Sequence, residues 1–479
     1  MVNSLSIEQQ NVYEYLNSSI FHNVGNKLVF IDGPGGTGKS YVLNTFINNL
    51  EKNGVKYVCV AWTGIAANLL PNGETAHICF KLPLTITHDT VCNIKANSAY
   101  ADYLRNIDVI IWDEISMVPK HAFECVNRCL QDVCNNNKSF GDKYVILAGD
   151  FRQTLPIVKH GTRSDIVEAC VKSSKLWPKF KQLKLTKNLR LLDSDNEFDK
   201  LCMNVGNGVY ETEFEEINNF IPIPENNISN GNLIDEIFGE TINCYDPEFS
   251  NSIILALTND DVIKINADIL DKLSGEKRTF LSIDTIDVND TSNNSDFIPI
   301  EFLNSLVPNG LPLHKLELKI GAIVILLRNL NDKNGLCNGT RLQIVSMRNY
   351  VIEGRVLSGN RMNEIILLPR IDLKPNLEEI PINMIRRQFP VRLGSAITIN
   401  KSQGQSFNKV GIYLSNPVFS HGQLYVALTR IRYHKNLKIL LSNDSKFLKP
   451  VEKKKIKSLT KKKITKQSYT KNIVYLEVL

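Results

Sequence analysis

Four glycines in six residues, then a lysine and a serine, mark the first place where this chain offers chemistry. Gly33-Pro34-Gly35-Gly36-Thr37-Gly38-Lys39-Ser40 fits GxxxxGK[ST] between an apolar run and a helical pattern. Such glycines let backbone N–H groups wrap a β-phosphate at the positive end of the following helix. Lys39 then meets the β/γ oxygens, and Ser40 offers an oxygen to Mg²⁺. Farther on, "VIIWDE" ends in Asp113, suited to the metal shell, and Glu114, suited to orienting or deprotonating water. "YVILAGDFRQTLP" places Asp150 and the amide of Gln153 at another strand tip, where Gln153 can sense a γ-phosphate. Arg190 in "LTKNLR" and Arg430 in "QLYVALTR" are expected across a cleft from the phosphate loop. There they would stabilise charge on a transferred phosphoryl group and tie hydrolysis to the spacing of two lobes. Taken singly, an Asp-Glu pair is more often a solvated strand end and a lone arginine a surface ion-pair partner. Together with the phosphate loop they point to ATP and Mg²⁺ chemistry.

These residues need a scaffold. Strands are expected at Leu28–Ile31, Tyr57–Ala61, Val109–Trp112, Tyr144–Leu147 and Ile253–Leu257, each ending in a polar or glycine-bearing segment. Val42, Leu43, Phe46, Ile47 and Leu50 recur at helical spacing after the loop, stopped by Asn53-Gly54. Strands separated by crossovers imply parallel βαβ units with ligands at the strand carboxyl ends. Residues 193–251 turn acidic and Asn-rich, which predicts a loop-rich crossover between two α/β lobes. Residues 318–371 read as short strands separated by Asn-Gly and Gly-Asn turns, a small all-β insertion.

The ordered set of motifs resembles superfamily-1B DNA helicases of the petite-integration-frequency (Pif) family, relatives of RecD. It runs from "LSIEQQ" through "GPGGTGKS", "WTGIAANLL", "GETAHICFKLPL", "WDEISM", "LAGDFRQTLPIV", "LTKNLR", "LALTNDDVIKIN", "GLCNGTRL" and "AITINKSQGQSF" to "HGQLYVALTRIR", covering residues 5 to about 440. The resemblance implies an α/β fold of two RecA-like P-loop NTPase lobes, with a small wedge element and a Src-homology-3-like β insertion in the second lobe. It divides the chain into lobe 1A at 1–190 with a wedge near 70–100, lobe 2A at 191–317 and 372–445, insertion 2B at 318–371, and a basic tail at 446–479. It also implies ATP-driven 5′→3′ translocation on single-stranded DNA with unwinding of duplexes and forks, in replication, repair or recombination. Gln9 would read adenine. Replication or recombination proteins are the implied partners, and a monomer or a DNA-induced dimer the implied state.

A strand-tracking motor holds backbone and bases with short polar donors and a few platforms. Thr63 and Gly64 suit a phosphate contact, and Thr398, Asn400, Lys401, Ser402 and Gln403 form the matching patch in the second lobe. His77 either contacts the strand or is a structural histidine. Trp62 either packs on the sheet or stacks on a base. Asn400 stands where many relatives carry histidine, which keeps hydrogen bonding and loses a possible charge.

Composition bounds the rest. Hydrophobic content of 43% and charged content of 22% are ordinary for a globular chain of 479 residues. No signal peptide and no membrane-length apolar run is evident, so an intracellular protein without a membrane partner is expected. Almost nothing precedes the Gln9 motif, so added regulatory or targeting domains are not expected. No His-x-His pair suggests a fused nuclease. Net charge is +6, yet residues 446–479 carry 11 Lys against 2 Glu, leaving −3 for the other 445 residues. The run "KKKIKSLTKKKITK" reads as a nuclear localisation signal, a nonspecific DNA arm or a solubilising end. The compact plan and Asn, Ile and Lys content suggest a large DNA virus or mobile element, with viral replication sites as the alternative to the nucleus. Cys125, Cys129 and Cys134 read as semi-buried thiols, with a zinc site as the alternative. Two other functions stay open: an NTP-gated scaffold and a motor that prefers RNA.

Overall fold

The computed structural model describes residues 2–190, 196–209, 220–286, 298–330, 335–359, 361–375, 382–442 and 469–479. The first lobe is a sheet of six parallel strands: β1 (Leu28–Asp32), β2 (Tyr57–Ala61), β3 (Glu74–Thr75), β4 (Val109–Asp113), β5 (Tyr144–Gly149) and β6 (Lys181–Lys184). Their order is β3-β2-β4-β5-β1-β6. Leu28 and Phe30 enter one core and Val29 and Ile31 another, the alternation of a strand covered on both faces. Helix α1 (Ile7–His22) starts with a capping box: Ser6 accepts from Gln9 N, and Gln9 Oε1 accepts from Ser6 N at 3.0 Å. Helix α2 (Lys39–Lys52) buries Val42, Leu43, Phe46, Ile47 and Leu50 completely, as its periodicity requires. Residues 70–100 carry β3, the single turn Ala76–Cys79, irregular chain and the first residues of the helix Ala99–Arg105.

The second lobe is a smaller parallel sheet in the order Ala396–Thr398, Ser252–Ala256, Lys409–Leu414, Leu437–Leu441. The chain leading to it is not all loop. Asn196–Asn207 is a helix whose Phe198, Cys202 and Val205 enter the second lobe's core, a three-residue apolar stripe hidden among polar residues.

Between the second lobe's strands lies an antiparallel region. Its main sheet runs Ile365–Pro369, Val351–Val356, Arg341–Met347, Ile323–Leu326, Val391–Leu393. A second sheet joins Ile283–Ile286, Met384–Gln388 and Ile371–Leu373, and Arg278–Leu281 pairs with Lys315–Leu318. The β-rich insertion therefore reaches from Arg278 to Leu393, wider than 318–371. Strands of three or four residues are too short for alternation to be read. Arg386, fully buried, pins the flank: it grips Asp284 with Nε and Nη2 and donates to Leu303, Leu306 and Pro312 carbonyls.

The last eleven residues are also not a tail. Tyr469–Lys471 pairs antiparallel with Phe220–Pro222. Tyr475 and Val478 enter the first lobe's core, Glu477 pairs with Arg163 at 2.7 Å, and Gly422 N donates to Ile473 O at 3.0 Å. The terminal peptide thus touches both lobes, with Ile473 packed against both cores and Tyr475 and Val478 in the first. The run itself, at 453–466, lies outside the described residues. Among the described residues no helix is long and apolar enough to cross a membrane.

Candidate functional site

The phosphate loop leaves β1 and enters α2 through left-handed backbone at Gly36 (φ 97°) and Gly38 (φ 79°). A Cβ on Gly36 would sit 2.4 Å from Asn188 Oδ1, so only glycine fits. Lys39 is buried and donates to Gly33 O at 2.5 Å and Pro34 O at 3.3 Å. Ser40 Oγ donates to Asp113 Oδ2 at 3.2 Å. Thr37 is buried and braces the loop by donating to Pro34 O. Gln9 reaches in from α1 and donates to Thr37 O at 3.0 Å, so one donor and one acceptor of its amide are already engaged.

Asp113 closes β4 and accepts from Glu114 N at 2.8 Å. Glu114 sits at φ 52°, a left-handed conformation that costs a non-glycine residue about 1–3 kcal/mol and is commonly retained where function needs it. Its Oε2 is buried without a hydrogen-bond partner among the described residues. Burial, then the neighbouring Asp113, pushes the Glu114 carboxyl up to about 7. Burial also raises Asp113, opposed by the Lys39 charge.

One cleft of about 420 Å³ is lined by Lys39, Asp113, Glu114, Gln153, Arg190 and Arg430, with Gln9, Gly35, Gly36, Gly38 and Ser40. The two arginines reach it differently from expectation. Arg430, fully buried, does come from the second lobe, held by Val426 O, Gln405 O and the Thr429 hydroxyl. Arg190 does not face the loop from across the cleft. It lies against Gly36, where an added Cβ would be 2.8 Å from Arg190 Cβ, and reaches across to donate to Thr429 O at 2.7 Å. Leu189 N bonds Gly36 O, which fixes that placement by backbone. Burial, then the nearby Arg430 charge, pulls the Arg190 guanidinium down to about 9.

Tyr425 is the residue the sequence reading passed over. Its buried hydroxyl donates to Asp150 Oδ2 at 2.9 Å and accepts from Gly35 N at 3.1 Å, joining the second lobe to the phosphate loop. The signal lay in "QLYVALTR", one helical turn and a residue before Arg430. Asp150 Oδ2 also takes Gly35 N at 3.1 Å and the Gln153 amide at 3.4 Å.

A second cleft, about 520 Å³, lies between both lobes and the insertion and is lined by Thr63, Gly64, Thr398, Asn400, Lys401 and Gln403. Thr63 caps the short helix Gly64–Ala67. The insertion seats on that helix: Asn68 Nδ2 donates to Gly335 O, and Cβ atoms on Gly64 or Gly339 would collide with Cys337 or Ile65. Asn400 Oδ1 is buried without a hydrogen-bond partner among the described residues. Two expected contacts stand apart. His77 is not in this lining; its ring lies 4.5 Å from that of Trp62, which packs on the first lobe's core. Ser402 is fully buried and closes its own turn by donating to Ile399 O at 2.6 Å. Gln403 is buried too: it accepts from Thr154 Oγ1 and donates to Gln153 Oε1.

Of the three cysteines, Cys125 and Cys129 both meet Cys92, far away in sequence, with Cys125 3.6 Å from it sulfur to sulfur, while Cys134 sits beside Gly141. Among the described residues no group of three His, Cys, Asp or Glu side chains could hold a metal ion.

A family profile described as PIF1-like helicase matches residues 4–216, and one described as DNA helicase Pif1, 2B domain, matches 301–347. The ATP-dependent DNA helicase Pif1 of Psychrobacter sp. is 26% identical over 470 residues, covering 87% of this chain and 66% of that protein. The human ATP-dependent DNA helicase PIF1 is 29% identical over 424 residues, covering 86% and 58%. The Campylobacter jejuni Pif1 is 27% identical over 443 residues, covering 88% and 90%. The chain thus spans about three fifths to two thirds of the first two relatives. The crystal structure of a Bacteroides Pif1 helicase with ADP-AlF3 and ssDNA superposes with a TM-score of 0.66 at 27% identity, covering 91% of this chain and 92% of that one. A structure of two coordinating Pif1 helicases at forked dsDNA gives 0.65 at 26%, covering 91% and 92%.

Proposed function

The chain belongs to the PIF1-like helicase family, and from that premise we propose that it is an ATP-driven motor that moves 5′→3′ on single-stranded DNA and separates the duplex ahead of it. The observation that carries this reading is the single cleft holding Lys39, Asp113 and Glu114 of one lobe with Arg430 of the other.

Lys39 and the N–H groups at the start of α2 bind the β/γ-phosphates of ATP. Ser40 and Asp113, hard oxygen donors already in contact, suit Mg²⁺, which when bound neutralises phosphate charge. Glu114 orients or deprotonates the attacking water. Arg190 and Arg430 stabilise the charge on the transferred phosphoryl group. Gln153 senses the γ-phosphate, and Gln9 sets the adenine edge. An arriving γ-phosphate competes with Asp150 and Tyr425 for the Gly35 N–H, which makes a nucleotide state into a change of lobe contact.

Thr63, Gly64, Thr398, Asn400, Lys401 and Gln403 grip the strand in the second cleft, and the 70–100 segment is the wedge. His77 acts beside Trp62 at the edge of this path. The insertion, Src-homology-3-like in this reading, closes the cleft. Forked DNA, a DNA-induced pair of molecules, replication or recombination proteins, and action in the nucleus or at viral replication sites complete the proposal. Strand displacement on 5′-tailed against 3′-tailed duplexes tests it: equal displacement of both contradicts the direction, and displacement by Lys39→Ala places the engine elsewhere.

A further inference from the structure

Arg341 opens the insertion strand Arg341–Met347, directly after the Gly335–Thr340 tip that seats on the first lobe. Its guanidinium bridges to the second lobe, donating from Nη1 to Ser250 O at 3.0 Å and lying 5.0 Å over the Phe407 ring. The side chain is 5% exposed and lines the strand cleft. Nε and Nη2 are buried with no hydrogen-bond partner, and no carboxylate pairs with this arginine among the described residues. A neighbouring arginine in the same wall behaves differently: Arg392 commits its donors to Leu311 O and Pro308 O. A buried cation without a counter-charge is costly and is rarely kept without one. Two adjacent guanidinium N–H groups match the fork that phosphate oxygens accept.

We propose that Arg341 is a phosphate contact that the β-rich insertion contributes to the strand cleft, its Nε and Nη2 taking two oxygens of one phosphodiester. The proposal rests on the strand-binding reading above and adds to it: the insertion holds the strand as well as covering it. Burial alone pulls the guanidinium down to about 10, so an anion restores what the protein surroundings do not supply. Asn400 Oδ1, also buried and unpartnered in this wall, gives the same cleft an acceptor for a base or sugar donor.

The test is binding of a fluorescent oligo-dT to the full chain across a salt series, comparing wild type, Arg341→Met and Arg341→Lys. Losing one phosphate contact lowers the slope of log K against log salt by ~0.7. The Met variant is expected to show that drop, and the Lys variant to keep the slope with several-fold weaker binding at every salt concentration, because a point charge replaces a planar fork. A wild-type slope and affinity in Arg341→Met overturns the assignment. If that variant does not fold, Arg341→Lys at wild-type affinity overturns it instead. No salt-dependent strand binding by the wild type overturns the functional reading and this inference together, so the two failures are distinguishable.

Discussion

The Gln403 side-chain amide donates to Gln153 Oε1 at 3.3 Å, and these two residues line different clefts. The wall between the two clefts is therefore two amides thick. Thr154, whose hydroxyl donates to Gln403 Oε1 at 2.6 Å, fixes the orientation of that bridge. Thr154→Val keeps shape and removes the bond. Its strand-stimulated ATP turnover should fall about 5-fold or more, within the usual range of coupling energies, while turnover without DNA is retained. Equal loss in both assays would mean the bridge only supports folding.

Arg430 approaches Gly35 from the opposite lobe with its guanidinium clamped by three protein acceptors. Arg430→Ala should lower kcat for ATP by ~10³ or more with a smaller change in KM. Arg430→Lys should not restore it, because an ammonium lacks the planar fork. Steady-state hydrolysis at saturating single strand reads both.

Asn400 and Ser402 are two residues apart but face different tasks. Ser402→Ala should leave strand affinity within twofold, since its hydroxyl is turned onto Ile399 O (a difference of about 0.4 kcal/mol at most). Asn400→Ala should weaken binding measurably in the same titration. The reverse order would show that the turn unwinds when the strand enters.

The Arg386–Asp284 pair is sealed, with both side chains fully buried. Asp284→Ala leaves the guanidinium without its carboxylate and should destabilise the insertion by about 3–5 kcal/mol. Denaturant unfolding measures it. Replacing both partners with apolar residues of similar volume should recover much of the loss.

His421 is buried as the neutral ring: Nε2 donates to Phe151 O and Nδ1 accepts from Tyr475 N, both at 2.8 Å. Burial lowers its pKa below the ordinary 6.5, with Asp150 and Glu477 opposing and Arg163 assisting. The unfolded or undocked state binds the proton more readily, so the contribution is whole above pH 6.5 and drains away as pH falls below it. Protection factors of the amides in residues 469–479, with the slower intrinsic exchange at low pH divided out, should fall on acidification through that window. In His421→Gln the pH dependence should flatten.

The phosphate loop, its flanking strand and helix, and the carboxylate pair were legible because each is local: a few residues at fixed spacing set backbone direction and chemistry at once. Lys39, Ser40 and Asp113 needed no tertiary information. Arg190 and Tyr425 did. Which side of a cleft Arg190 occupies depends on the Leu189–Gly36 backbone bond, and Tyr425 acts through a carboxylate far away in the chain. Ser402 carried the chemistry of a strand contact, but a one-turn hydrogen bond claimed its hydroxyl. Cys92 finds Cys125 only through the fold, and the outer strands of the insertion are too short to announce themselves.

The docked terminal peptide also alters how the lysine run can be studied. Trimming the chain at residue 445 strips away positive charge and, in the same cut, unplugs Tyr475 and Val478 from their sockets in the first lobe. A weaker grip on DNA after such a cut would have two confounded origins. Swapping the lysines between 453 and 466 for glutamine, with the final eleven residues left in place, isolates electrostatics from architecture.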